Sequence, residues 1–432
     1  MRKIFILLLG LTPFLMFESR ATAQTPDRMQ WWREARFGMF IHWDMSSVAG
    51  TEISWSRLGP KPLDGSWGGP AGSGGDPVYD NLYKQFNPNQ FDAKKWVALA
   101  KEAGMKYIVF TTKHHGGFSM WDTKYSTYGI MSTPFKRDVV KELSEACRQA
   151  GIRFGIYYSP RDWYHPDYGV GDNSKYEAFM MGQLTELLTN YGKIDVVWFD
   201  SFGTGKSIEY WHADKVLDLV RKLQPQTIIN NRCSFFGESV PSLQGDFDTP
   251  EQTIGSYRTD RNWESCMCVV DAPGGGWSYR KDGKVKPFDE CIRTLVSCAT
   301  GDGNLLLDVG PDATGIIPAD QSERLREMGQ WMKKYGRTIY GTQGGPMKNG
   351  PWGGATFKGK KVWIHLFASA PDILELPRLN QKLTSWKNLT NSKITVTEKN
   401  GRITLSGINA GRISPDTIVE LTFDQNVTRV DQ

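Results

Sequence analysis

DAKKWVALAKEAGMKYIVFTTKHH, residues 92–115, contains one full unit of the fold. Asp92 is a helix N-cap type, since its carboxylate can accept the backbone N–H groups that a first turn leaves unpaired. Trp96, Val97, Ala100 and Ala103 then recur on one helical face, and Gly104 supplies a terminator. Residues 107–112 (YIVFTT) follow as a strand. A helix feeding a strand without a tight hairpin turn predicts parallel pairing.

The same rhythm extends both ways. Residues 37–43 (FGMFIHW) read as a buried strand, followed by a loop rich in glycine (Gly65, Gly68, Gly69, Gly72, Gly74, Gly75) expected to cover one end of the fold. Downstream, Val139, Val140, Leu143, Ala146, Cys147 and Ala150 make a helical stripe stopped by Gly151, ahead of a strand at 153–159 (RFGIYYS). A helix near 176–189 leads to 195–200 (DVVWFD), and one near 210–223 leads to 227–232 (TIINNR). Further strands are expected at 246–249, 263–269 and 304–309, with a last helix at Ala319–Tyr335. That run is long enough for eight units, so a (β/α)8 barrel is expected over residues 24–341, with a doubly wound open sheet as runner-up. From 342 the texture changes: residues 361–367, 393–397, 402–405 and 418–423 read as strands with no helices between them. Asn400-Gly401 makes a hairpin turn, giving a small antiparallel β-sandwich over 342–432.

Residues 1–23 read as a secretory signal. Arg2 and Lys3 precede an apolar run at 4–17, and Ala21-Thr22-Ala23 is a small-x-small cleavage pattern. The run is short of the ~20 residues a spanning helix needs, and no later run is long enough, so export to periplasm or medium is expected without membrane insertion. Net charge is +5; without the leader (Arg2, Lys3 and Arg20 against Glu18, net +2) it is +3, no footprint for nucleic acid. The 16 Trp and 16 Tyr favour sugar rings slightly, since such side chains pair an apolar face with a polar edge. Six cysteines in a large domain are read as buried thiols, with one or two bridges as the alternative. Cys266 and Cys268 share a strand face, but no histidine lies nearby to complete a metal site.

In a parallel barrel, polar residues closing apolar strands build the active site. Here His42 closes the first strand, His114 and His115 the second, Tyr157 and Tyr158 the third, Trp198 and Asp200 the fourth, and Arg232 the fifth. Asp200 could instead be a helix N-cap, but four other strands ending in sugar-binding types favour function. Retaining glycoside hydrolysis needs a second carboxyl about 5–5.5 Å away. Candidates are Asp246, Asp248 and Glu251 in GDFDTPE, and Glu264 in NWESC. Gly203-Thr204-Gly205-Lys206-Ser207 imitates the end of a phosphate-binding loop, but Asp200 occupies the position where that loop requires its first glycine. No HExxH spacing supports a metal hydrolase, and no cofactor is implied.

RFGMFIHW, FDAKKWVALAKEAGMKYIVFTTKHHGGFSMWDTKYS, KRDVVKEL, GIRFGIYYS, LLTNYGKIDVVWFD, DFDTPE, GNLLLDVGP and GQWMKKYGRTIYGT together resemble the α-L-fucosidases of glycoside hydrolase family 29. The resemblance implies a retaining double displacement on a fucosylated oligosaccharide or glycoconjugate, with Asp200 as nucleophile. It implies Glu251 as acid/base, with Glu264 the second choice, and His42, Trp55, His114, His115, Tyr157, Trp198 and Arg232 around the sugar. Two positions depart from the pattern: Gly116 where the KHHDGF motif has an acid, and Ser54 where a Glu precedes Trp55. Both bear on glycan specificity and leave the nucleophile motif intact. A catalytically silent sugar-binding protein is the competing reading.

Overall fold

The computed structural model describes residues 27–58, 77–202, 206–233, 243, 245–273 and 275–430. The leader, the glycine-rich 65–75 segment and Gly203-Thr204-Gly205 lie outside the described residues. Seven strands form one parallel sheet: β1 (Phe37–Ile41), β2 (Tyr107–Lys113), β3 (Arg153–Tyr158), β4 (Val196–Phe199), β5 (Ile228–Ile229), β6 (Glu264–Cys268) and β7 (Asn304–Val309). Their spatial order is β5-β4-β3-β2-β1-β7-β6. Residues 246–251 join the two edges through single parallel bridges, Phe247 to Asn230, Asp248 to Trp263 and Glu251 to Cys266. With this irregular eighth stave the sheet takes the TIM-like form.

Period-two alternation divides each strand between two apolar layers. Phe40, Tyr107, Val109, Tyr157, Val196, Trp198, Phe247, Cys266 and Leu306 pack together inside the barrel. Met39, Ile41, Ile108, Phe110, Ile156 and Val197 face outward. There they meet α1 (Ala93–Glu102), α2 (Val139–Ala150), α3 (Ser174–Asn190), α4 (Ala213–Leu223), α5 (Phe288–Thr300) and α6 (Ala319–Tyr335). Asp92 caps α1 as read, accepting from the N–H groups of Lys94 and Lys95. The alternation aims the site: His42 continues the inward set of Phe40, and Asp200 that of Val196 and Trp198.

Beyond the barrel, a five-stranded antiparallel sheet and a three-stranded one share a core of Phe357, Ile364, Leu366, Leu405, Val419 and Leu421. Lys399 pairs with Arg402 across Asn400 and Gly401, both left-handed, which is the hairpin read from sequence. Trp363, Phe367 and Ile418 join the barrel's outer core, docking the sandwich onto the barrel. All six cysteines are free and buried, so the alternative of one or two bridges does not hold.

Candidate active site

Asp200 follows β4 directly and lies within the barrel mouth. Its Oδ1 accepts from Arg232 Nη1 at 2.9 Å and its Oδ2 from the Tyr157 hydroxyl at 2.7 Å. His115 Nε2 lies 3.3 Å from Oδ2. Asp200 is no helix cap: the next helix, Ile208–Trp211, is capped by Ser207. Burial opposes ionisation of this carboxyl, but Arg232, Arg161, His114 and the Tyr157 hydrogen bond together hold it below the usual aspartate range.

Arg232 Nη1 also donates to Glu251 Oε2 at 2.7 Å. Two oxygens at 2.9 and 2.7 Å from one nitrogen can be no further apart than those distances end to end, about 5.6 Å. That ceiling on the two bonded oxygens is compatible with the roughly 5–5.5 Å of retaining enzymes and lies below the roughly 6.5–9.5 Å of inverting ones. The rest of the guanidinium is fixed by Thr249, through Nε to Oγ1 at 2.7 Å and Nη2 to the carbonyl at 2.9 Å, and its carbon lies 4.6 Å from the Trp198 ring centroid. Glu251 ends the eighth stave, two residues past the strand expected at 246–249, and bridges to Cys266.

The three histidines surround the opposite side. β2 ends at Lys113 after a register shift, so strand alternation no longer applies to His114 and His115. Their ring centroids are 4.2 Å apart, and His114 stacks on Tyr157 at 5.4 Å with planes 5° apart. Both therefore reach the pocket through the kink that two adjacent histidines require. Burial pushes His42 and His115 well below the ordinary histidine value and His114 down to about 4, so all three are neutral near pH 7. A neutral imidazole offers one donor and one acceptor, which suits sugar hydroxyls. His115 is held between Ser159 Oγ, 2.6 Å from its Nδ1, and the Asp200 carboxylate on its Nε2 side. His42 Nδ1 is anchored on the buried Asp308 at 2.7 Å.

Trp55 stands edge-on to His115 (5.5 Å) and Trp163 (5.0 Å), forming a side wall. Trp198 is a floor rather than an open platform. Arg232, Tyr157 and Phe40 cover its ring, and its indole N–H reaches Glu264. Glu264 is removed from the catalytic candidates. It begins β6 instead of closing it, so it sits deep in the barrel, fully buried, accepting from Trp32, Tyr107 and Trp198. Asp246 and Asp248 are likewise occupied, by Arg28 and Arg221 and by Arg258 and Arg261. His114, His115 and Asp200 have ligand atoms within 4.8 Å of one another. However, Arg232 and Tyr157 already hold the Asp200 oxygens, and a guanidinium at 2.9 Å disfavours a cation there.

The sequence matches the family described as Alpha-L-fucosidase over residues 17–337. The chain belongs to the α-L-fucosidase family. Rat plasma alpha-L-fucosidase is 32% identical over 332 residues, covering 72% of this chain and 70% of its own length. The human plasma enzyme is 31% identical over 345 residues, covering 76% and 71%. Alpha-L-fucosidase isoenzyme 1 from Paenibacillus thiaminolyticus superimposes with TM-score 0.78 at 31% identity, over 92% of this chain and 99% of that one. A family 29 fucosidase from Bacteroides thetaiotaomicron, trapped as a covalent intermediate in complex with 2-fluoro-fucosyl fluoride, matches with TM-score 0.76 at 29% identity, over 92% and 96%.

Against the fucosidase pattern, the two departures in sequence are one contact in space. The Gly116 N–H donates to Ser54 Oγ at 2.7 Å, and a Cβ at 116 would lie 2.9 Å from that oxygen. Three further residues escaped the sequence reading. Trp163 packs on His115, Trp277 lies 5.0 Å from the His42 ring, and Arg161 holds Ser201 and Phe202, the two residues after Asp200. Trp163 and Arg161 stand in the SPRDW run just past β3, so the strand-end rule, extended a few residues, would have flagged them. Trp277 sits on a long loop with no such signal.

Proposed function

We propose that this chain is a retaining exo-α-L-fucosidase in which Asp200 is the nucleophile and Glu251 the acid/base. The observation that supports the pairing is Arg232, one nitrogen of which donates to an oxygen of each carboxylate. In the first step an Asp200 oxygen bonds to the anomeric carbon as the glycosidic bond breaks, and the proton on Glu251 passes to the leaving oxygen. In the second, Glu251 takes a proton from water, whose oxygen replaces Asp200 at that carbon and restores the original configuration. The Arg232–Glu251 ion pair belongs to the base half of this cycle. Neutral His42, His114 and His115 bind the sugar hydroxyls, and Trp55 and Trp277 supply apolar walls. The substrate class is a fucosylated oligosaccharide or glycoconjugate. Residues 1–23 support export to the periplasm or medium, and no described helix is long and apolar enough to cross a membrane.

The test is release of chromophore from an aryl α-L-fucoside by wild type, Asp200→Ala and Glu251→Ala. Asp200→Ala should lose roughly a thousandfold or more of kcat and recover with azide, giving an inverted product. Glu251→Ala should lose roughly a hundredfold or more. A fluorinated sugar trapped on another residue would overturn the assignment of Asp200. Wild-type silence on every glycoside would favour the binding-protein reading.

A further inference from the structure

Arg161 is a buried guanidinium that the two-carboxylate mechanism leaves unused. Its Nη2 donates to Ser201 Oγ at 2.6 Å and its Nε to the Phe202 carbonyl at 3.2 Å. Ser201 directly follows Asp200 and is left-handed, at φ 47°, a region a serine adopts only when its surroundings impose it. The Ser201 N–H is held in turn by the Arg232 carbonyl at 2.9 Å. On its other side, the Arg161 N–H donates to Ser159 Oγ at 3.0 Å, the hydroxyl that meets His115 Nδ1. A ring of contacts therefore runs from Asp200 through His115, Ser159, Arg161 and Ser201 back to Asp200.

We propose that Arg161 is a positioning residue for the nucleophile: it pins Ser201 in the left-handed region, so that the end of β4 turns the Asp200 carboxylate into the pocket, and it sets a second guanidinium beside that carboxylate. The proposal rests on Asp200 being the nucleophile. Arg232 is shared with Glu251, so its pairing changes as Glu251 gains and loses a proton. Arg161 makes no hydrogen bond or ion pair with Glu251 and serves Asp200 through both halves of the cycle. The charged and titratable groups facing Asp200 are Tyr157 and Arg161 from the β3 side, His114 and His115 from β2, and Arg232 from β5, with Glu251 beyond it.

The experiment compares Arg161→Met, Arg161→Lys and Ser201→Gly on an aryl α-L-fucoside across pH, with melting curves to confirm folding. Arg161→Met should move the acid limb of kcat/KM up by about one pH unit and lower kcat more than it raises KM. Arg161→Lys should return the limb towards wild type. Ser201→Gly keeps the charge but loses the pin, so kcat should fall at least several-fold with the limb unmoved. An unmoved limb in Arg161→Met, or wild-type kcat in Ser201→Gly, would overturn the proposal. The Asp200 carboxyl can also be titrated by carbon NMR, assigned with Asp200→Asn, which needs no turnover. Identical titrations in wild type and Arg161→Met overturn the role of Arg161 even if the fucosidase reading stands. If wild type shows no turnover, the fucosidase reading fails and the titration alone judges Arg161.

Discussion

Two glutamates of this barrel stand in opposite surroundings, and the difference lies in which end of a stave each occupies. Glu251 closes the eighth stave at the mouth; Glu264 opens β6 near the floor, where burial pushes it from its ordinary 4.5 up to about 7. A carboxyl whose folded value exceeds its unfolded one takes up a proton on folding. Its contribution therefore favours the native state on the acid side and weakens as pH rises from about 4.5 to 7. Glu264→Gln should flatten the pH dependence of stability across that window and leave kcat within several-fold of wild type. Glu264→Ala orphans the donors of Trp32, Tyr107 and Trp198 and should cost about 3 kcal/mol in urea denaturation. Loss of turnover in Glu264→Gln matching that in Glu251→Ala would restore Glu264 to the catalytic candidates. Asp200, Tyr157, His115 and Arg232 were legible because each interrupts or closes an apolar run. Glu264 misled because composition marks a strand residue without saying which end of the barrel it meets, and Arg161 hid because the chain turns back into the mouth after leaving β3.

Elements were legible in proportion to their length and periodicity. The last barrel helix, α6, was read with the bounds it has, since its seventeen residues bury Leu325, Met328, Trp331 and Met332 at helical spacing. The reading at 210–223 merged two helices, which a left-handed His212 separates into Ile208–Trp211 and α4. β5 is two residues long, and the stave at 246–251 holds on by single bridges, so neither shows a period. The sandwich strand Leu383–Asn388 is largely exposed and was missed, because an edge strand can be held by backbone pairing without an apolar pattern. Nor does a periodic stripe reveal how closely two helices approach. A Cβ at Gly329 on α6 would stand 2.0 Å from the Glu102 carbonyl on α1, with backbone rather than a flexible side chain in the way. Gly329→Ala should therefore cost about 2–3 kcal/mol by forcing the helices apart. Gly151→Ala, left-handed but with nothing within 4 Å of its Cβ, should cost only about 1 kcal/mol. Equal losses for the two in denaturant titration would refute this account of the α1–α6 contact.

On the scale of the whole molecule, a buried carboxylate helps tie barrel to sandwich. Glu420, on the sandwich strand Thr417–Phe423, accepts from Lys361 Nζ and Trp363 Nε1, both at 2.8 Å, with Lys387 Nζ at 3.3 Å. Arg337, just beyond α6, reaches it at 3.6 Å, and Trp363 itself belongs to the barrel's outer core. The change of texture after the last barrel helix was legible as strands without helices. This tie was not, because its members are 83 residues apart in the chain and only the docked sheet brings Arg337 to Glu420. Burial alone would raise the carboxyl, but the Lys361 and Trp363 hydrogen bonds and the charges of Lys361 and Lys387 outweigh it and draw Glu420 from 4.5 down to about 2. The folded value lies below the unfolded one, so the stabilisation is fully present above about 4.5 and is lost as pH falls towards 2. Glu420→Gln should melt below wild type at neutral pH, and the gap should close between about pH 4.5 and 2 in scanning calorimetry. A gap of the same size at both ends of that range would show that the hydrogen bonds, which glutamine can partly keep, carry the junction without the charge.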